Sequence, residues 1–172
     1  MRVMYVASEA TPFIKSGGLA DVIGSLPKET AKKDVESIVV IPKYQDMKFV
    51  DQIEYVTNFD IYMGWRKRYC GIFKAEVDGV TFYFIDNEQY FGRPGLYGYD
   101  DDYERFAFFD RAVMKFIKEI DVQHVDLPPD NPHVLRYTGR LFSWGNNLRE
   151  KIRQFIRFAG KKPVSPDQKP VK

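Results

Sequence analysis

Lys15, Ser16, Gly17 and Gly18 stand together between an apolar run, residues 2–7, and a segment with helical spacing that begins at Leu19. That combination suits the binding of an anionic phosphate. Glycines let a ligand come close to the backbone and can adopt φ > 0. The first N–H groups of a helix lack intrahelical acceptors, and the positive end of the helix dipole lies behind them. A nearby lysine adds a mobile ammonium. Two carboxylates, Glu9 and Asp21, flank the same block. Asp21 also suits a first-turn acid that stabilises its helix, and Glu9 a solvated loop carboxylate. Neither GxGxxG nor the P-loop pattern occurs, so neither dinucleotide binding nor a P-loop is indicated.

The elements that must position these residues follow from periodicity. Residues 2–7 are β-branched and aromatic, as in a buried strand. Leu19, Val22, Ile23 and Leu26 fall at i, i+3, i+4 and i+7, which predicts a helix over 19–33 with those residues on its apolar face. Residues 37–41, before Pro42, read as a second parallel strand of a β–α–β unit. From 53 to 85 polar residues alternate with apolar and aromatic ones, and Asp78-Gly79 marks a tight hairpin turn. Antiparallel hairpins added to a parallel sheet are therefore expected. Trp65, Tyr69, Phe73, Phe82 and Phe84 read as sheet packing in preference to a sugar-stacking platform. Residues 92–99 carry loop chemistry, with Tyr97 and its glycines read as a structural turn. Asp100, Asp101 and Asp102 are placed to cap a helix over 102–120 with Phe106, Phe109, Val113, Phe116, Ile117 and Ile120 on its apolar face. Without histidines beside them these aspartates do not make a metal site.

Length and composition set the bounds. At 172 residues there is room for one ordinary domain, and a 44% hydrophobic content provides a core. A net charge of +2 implies no general affinity for nucleic acid or acidic membranes. A single cysteine, Cys70, excludes an intramolecular disulfide and suits a reducing cytoplasm. No run approaches a membrane span, and no signal peptide is evident. A cytoplasmic protein with no cofactor is expected.

The N-terminal block resembles the opening of bacterial glycogen synthases and plant starch synthases. Those enzymes begin with a strand, then SE-x-x-P-x-x-K-S/T-GGL-A/G-DV and a helix carrying G-x-LP. Ser8, Glu9, Pro12, Lys15, Ser16, Gly17, Gly18, Leu19, Ala20, Asp21, Val22, Gly24, Leu26 and Pro27 all fall on that pattern. IPKY at 41–44, GLYG at 95–98 and ERFAFF at 104–109 follow in the family's order. The resemblance covers residues 1–122. It implies a partial Rossmann-like N-terminal domain of a GT-B glycosyltransferase, a parallel sheet with added antiparallel hairpins. It implies glucose transfer from ADP-glucose to the non-reducing end of an α-1,4-glucan, with retention and without a metal. Lys15 would bind the diphosphate or sugar donor, Gly17 and Gly18 would present backbone N–H groups, and Glu9 and Asp21 would shape the donor or acceptor pocket.

Residues 123–172 do not continue the pattern. The family's His–x–x–Asp–Trp arrangement is absent; an amphipathic helix is expected over 147–158 and a disordered basic, Pro-rich end over 160–172. A disrupted coding sequence and a genuine C-terminal extension both fit. For the chain alone little or no catalysis is expected, since a cleft needs two walls. A sheet lacking its remaining strands is expected to expose an apolar edge and favour self-association. The alternative to a truncated synthase is a non-enzymatic remnant or glucan- or partner-binding module. An unrelated nucleotide-binding α/β domain accounts poorly for IPKY and ERFAFF in this order.

Overall fold

A computed structural model describes residues 2–120 and 124–126. Among these, strands β1 (Arg2–Val6), β2 (Glu36–Pro42), β3 (Glu54–Met63), β4 (Arg66–Val77), β5 (Val80–Asp86) and β6 (His124–Asp126) form one sheet in the order β3-β4-β5-β2-β1-β6. Pairing is parallel for β5–β2, β2–β1 and β1–β6, and antiparallel for β3–β4 and β4–β5. Parallel sheet with added hairpins is thus the observed architecture. β6 begins just past residue 122, inside the stretch that the motifs leave unmatched. The expected helix over 147–158 and the basic end lie outside the described residues.

The hairpin turns follow from backbone conformation. Asp78 and Gly79 have φ of 52° and 75°, the paired left-handed residues of a primed turn. β3 is one continuous strand, with a register irregularity between Tyr55 and Thr57. β3 is the outer edge of the described sheet, and two of its carbonyls are covered from α3 (Asp102–Phe116). Arg111 Nη1 donates to Tyr62 O at 2.7 Å and Lys115 Nζ to Asp60 O at 3.2 Å. Cations on an edge discourage pairing with another chain.

The two long helices lie on opposite faces. Tyr5 OH meets Thr30 Oγ1 of α1 (Gly18–Ala31) at 2.7 Å, and Tyr5, Val39 and Phe82 are aligned across β1, β2 and β5. Strand alternation turns Tyr83 to the other face, where it packs on Phe116 of α3. Between these layers lies a core of Met4, Val39, Ile41, Phe84 and Phe109, all fully buried.

Helix α1 differs from its predicted orientation. Ala20, Ile23, Gly24 and Pro27 are buried, whereas Val22 and Leu26 are 52% and 44% exposed. Ala20 and Gly24 in this stripe are small where the 8–17 segment comes very close. A Cβ at Gly24 would lie 1.8 Å from Thr11 Oγ1 and 2.9 Å from Thr11 O. Close approach, and not hydrophobicity, selects the face. α3 keeps its expected apolar face at Phe106, Phe109, Val113 and Phe116, but it ends at Phe116, and Arg105, Phe108 and Ala112 are buried as well. The tip of the β3–β4 hairpin also departs from expectation. Phe82 and Phe84 are buried and Tyr69 is about half exposed, but Trp65 is 90% exposed, so Trp65 does not pack the sheet.

Two expectations follow for stability. Gly24→Ala forces Thr11 or the helix to move and should cost about 1–3 kcal/mol in urea denaturation; an unchanged midpoint would refute the close approach. Asp110 is buried on α3, and burial pushes its carboxyl up to about 8. The folded state therefore keeps a proton that the unfolded chain loses near pH 4. Stability should fall as pH rises from about 4 to about 8, the range between those two values. Asp110→Asn should remove that slope, so its stability advantage over the wild type grows between pH 5 and pH 8.

Candidate functional site

The parallel strands β1, β2 and β5 all end at one edge of the sheet, and the connections leaving them in part go opposite ways. β1 leads through α1 to β2 on one side, whereas β5 leads through α3 to β6 on the other. Such a reversal opens a crevice beyond the carboxyl ends of the strands. Residues 8–17 leave β1 into it, and residues 92–101 come over from β5.

The turn itself is built by a buried carboxylate. Glu9 is only 3% exposed, and its Oε2 accepts a short hydrogen bond from Ser16 N. Glu9 is therefore not a solvated loop residue. Its Oε1 would lie 3.8 Å from a Cβ at Gly17, so the carboxylate lines the inside of the glycine turn. Thr11 N and Thr11 Oγ1 both donate to Ala20 O, at 3.0 and 3.2 Å, tying the turn to the first turn of α1.

The expected left-handed glycines are not what the turn uses. Gly17 is extended, with φ −152° and ψ −163°, and Gly18 is the first residue of α1. The absence of a side chain matters for a different reason: nothing lies within 4 Å of the Cβ position at Gly18. Gly17 supplies no capping side chain, so no side chain caps α1 at its open first residue. The positive end of the helix dipole lies at that residue.

Lys15 and Asp21 are brought together. Lys15 Nζ donates to both carboxylate oxygens of Asp21, at 2.8 and 2.6 Å, with both side chains about half exposed. Asp21 is thus more than a dipole-stabilising acid: it holds the lysine at the mouth of the turn. An exposed pair of this kind is weak and exchanges readily for another anion.

Three further residues belong to the same place. Tyr97 OH meets Ser8 Oγ at 2.7 Å, which brings the 92–101 loop onto the glycine turn. Burial pushes the Tyr97 phenol up, and the hydrogen bond shared with Ser8 opposes this. Tyr97 is therefore a site residue as well as a turn residue; its position in GLYG was the available signal. Beneath them Tyr44 is 2% exposed. Burial pushes its phenol well up, with the nearby Tyr97 phenol adding to the effect. The three aspartates do not cap α3 as expected. Asp101 stands at the N-cap without a capping hydrogen bond and pairs with Arg93 through two contacts of 3.0 Å, whereas Asp102 accepts from Gly98 N and Tyr99 N ahead of the helix. Among the described residues no group of His, Cys, Asp and Glu is arranged to hold a metal. Cys70 is buried, its thiol pushed up to about 12 by burial, which makes it a poor nucleophile. No helix of the described residues is long and apolar enough to cross a membrane.

The two acids should behave differently when altered. Glu9→Ala leaves Ser16 N–H without its buried acceptor and should cost about 1–3 kcal/mol in chemical denaturation. Asp21→Asn should leave the midpoint nearly unchanged; a large loss there would show that the Lys15–Asp21 pair is structural.

Residues 2–134 match the family described as the starch synthase catalytic domain. A glycogen synthase of Clostridium botulinum (strain Eklund 17B / Type B) is 57% identical over 123 residues, covering 70% of this chain and 26% of its own length. A glycogen synthase of Desulforamulus reducens is 53% identical over 125 residues, 72% of this chain and 26% of that protein. Among solved structures, the catalytic domain of starch synthase IV from Arabidopsis thaliana, bound to ADP and acarbose, superposes with a TM-score of 0.67 at 26% identity. That match covers 73% of this chain and 27% of the other. This chain thus spans about a quarter of the length of these relatives.

Proposed function

The chain belongs to the starch synthase catalytic domain family, and from that premise we propose that residues 8–21 form the donor-phosphate half of a glucosyltransferase site. The reaction is transfer of glucose from ADP-glucose to the non-reducing end of an α-1,4-glucan, with retention at the anomeric carbon. The observation that carries this reading is the open, uncapped start of α1 at Gly18 with Lys15 at its mouth. When the bond between sugar and diphosphate breaks, negative charge grows on the ADP. Backbone N–H groups of Gly18 and the residues after it stabilise that charge from fixed positions, with no reorganisation at the moment of reaction. Lys15 adds its ammonium once phosphate oxygens replace the Asp21 carboxylate as its partner. Asp21 then keeps the lysine in place between turnovers.

Glu9 has a different task. A buried carboxylate repels a diphosphate but accepts hydrogen bonds from sugar hydroxyls, so Glu9 faces the glucosyl or acceptor side. Tyr97, with a polar tip on an apolar ring, borders the same side. β6 pairs with β1 in the same sheet, so the synthase segment reaches past residue 122. These residues supply one side of a cleft, so the chain by itself is expected to bind donor without appreciable transfer. A second reading, a glucan-binding module without catalysis, is favoured by the exposed hairpin aromatics Tyr62, Trp65 and Tyr69.

Calorimetric titration of the chain with ADP-glucose separates these readings. Binding that Lys15→Ala weakens by about tenfold, the loss of one charge-assisted contact, is the expected result. No binding at millimolar donor by the folded chain would remove an autonomous donor site. Binding of maltooligosaccharide alone, abolished by Trp65→Ala, would favour the second reading.

A further inference from the structure

The loop of residues 92–101 reaches the site through Tyr97, yet it is poorly suited to hold a fixed position. It contains Gly92, Gly95 and Gly98, the last two with φ of 75° and 99°. Such a segment orders only if something outside its own backbone holds it.

Arg105 does this from beneath. It is fully buried, a costly place for a guanidinium unless its donors are used. Its Nε donates to Tyr90 O at 2.7 Å, at the root where the chain enters the loop. Its Nη1 donates to Leu96 O at 3.3 Å, immediately before Tyr97, and to Asp102 Oδ1 at 2.6 Å, where the chain leaves the loop. The other oxygen, Asp102 Oδ2, accepts from Gly98 N at 2.7 Å and Tyr99 N at 3.2 Å, immediately after Tyr97. The guanidinium also lies over the Tyr99 ring, 4.8 Å from its centroid. Contacts at the outer rim, Arg93 with Asp101 and Gly95 N with Asp46 Oδ2, are more exposed and so weaker.

We propose that Arg105 is a positioning residue for the site: through Leu96 and Asp102 it fixes the backbone on both sides of Tyr97 and so sets that phenol against Ser8 beside the glycine turn. Arg105 Nη2 is buried with no hydrogen-bond partner among the described residues. A buried cation with one carboxylate and an unused donor is not the arrangement that maximises stability. It fits a residue retained for the shape of the loop. The role in donor binding rests on the reading of residues 8–21 given above.

Amide hydrogen exchange on the full chain, with ADP titration alongside, tests this. In Arg105→Leu the Gly98 and Tyr99 amides should exchange about tenfold faster or more, while β1, β2 and β5 keep their protection. Arg105→Lys, which cannot span three acceptors, should restore only part of it. Should Arg105→Leu fail to fold, Asp102→Asn serves instead. Its side chain offers one acceptor oxygen where the carboxylate offers two, so either Arg105 or the loop amides must lose a partner. ADP affinity should fall in Arg105→Leu as far as in Tyr97→Ala, and no further in the double variant. Unchanged exchange at Gly98 and Tyr99, or additive losses of ADP affinity, would overturn the proposal. Faster exchange in a chain whose wild type binds no ADP would count against the donor site and support the positioning of Tyr97.

Discussion

Helix α1 sits against the 8–17 segment at a distance that only hydrogen at Gly24 permits. Most of the site depends on that contact. Because Thr11 presses on Gly24 and donates twice to Ala20 O, the turn cannot slide along the helix. β1 anchors the other end, with Ala7 N donating to Val40 O at 3.1 Å. Between these fixed points the chain must turn, and Glu9 closes it by accepting from Ser16 N. Gly18 then begins the helix with open space where a side chain would stand. The loop of residues 92–101 comes second, laid onto this platform through Tyr97 and Ser8.

The sequence was most legible where one local rule decides the outcome. Apolar runs marked β1 and β2, alternation marked the hairpin strands, and Asp78-Gly79 marked the turn between β4 and β5 because few residue pairs tolerate two successive left-handed conformations. The position of the glycine turn, and the grouping of Lys15 and Asp21 beside it, was readable from the motif around Lys15. The failures share a cause: they depend on what another segment brings near. Val22 and Leu26 are as hydrophobic as Ile23, but the helix rotates to place Gly24 on Thr11, and that demand is invisible in a periodicity. Glu9 looks like a loop acid until Ser16 N folds back on it. Trp65 has the composition of a core residue, yet it tips a two-residue turn that projects beyond every packing layer. Arg105, in a motif of aromatic residues, gives no sign in sequence that it is the buried support of the loop of residues 92–101 upstream of it; only the contacts with Tyr90 and Leu96 reveal it.

Stability and function pull apart at identifiable atoms. Asp110 and Arg105 both carry ionisable groups into the helix–sheet interior. Arg105 recovers much of its desolvation cost through acceptors it serves on three segments. Asp110 does so only by staying protonated near neutrality, since burial alone governs its carboxyl. The same α3 therefore contains one charge that organises the site and one neutralised acid that does not.

The cover over the outer strand has a consequence for synthesis. Arg111 lies 49 residues after Tyr62, and Lys115 lies 55 residues after Asp60. The β3–β4–β5 meander is local and can pair as soon as it leaves the ribosome, but its edge has no guard until α3 follows. At about 5–20 residues per second that interval is of order 3–10 seconds. During it the nascent chain presents an uncovered strand to its neighbours on the same polysome, and the order of elements in the gene makes this exposure unavoidable.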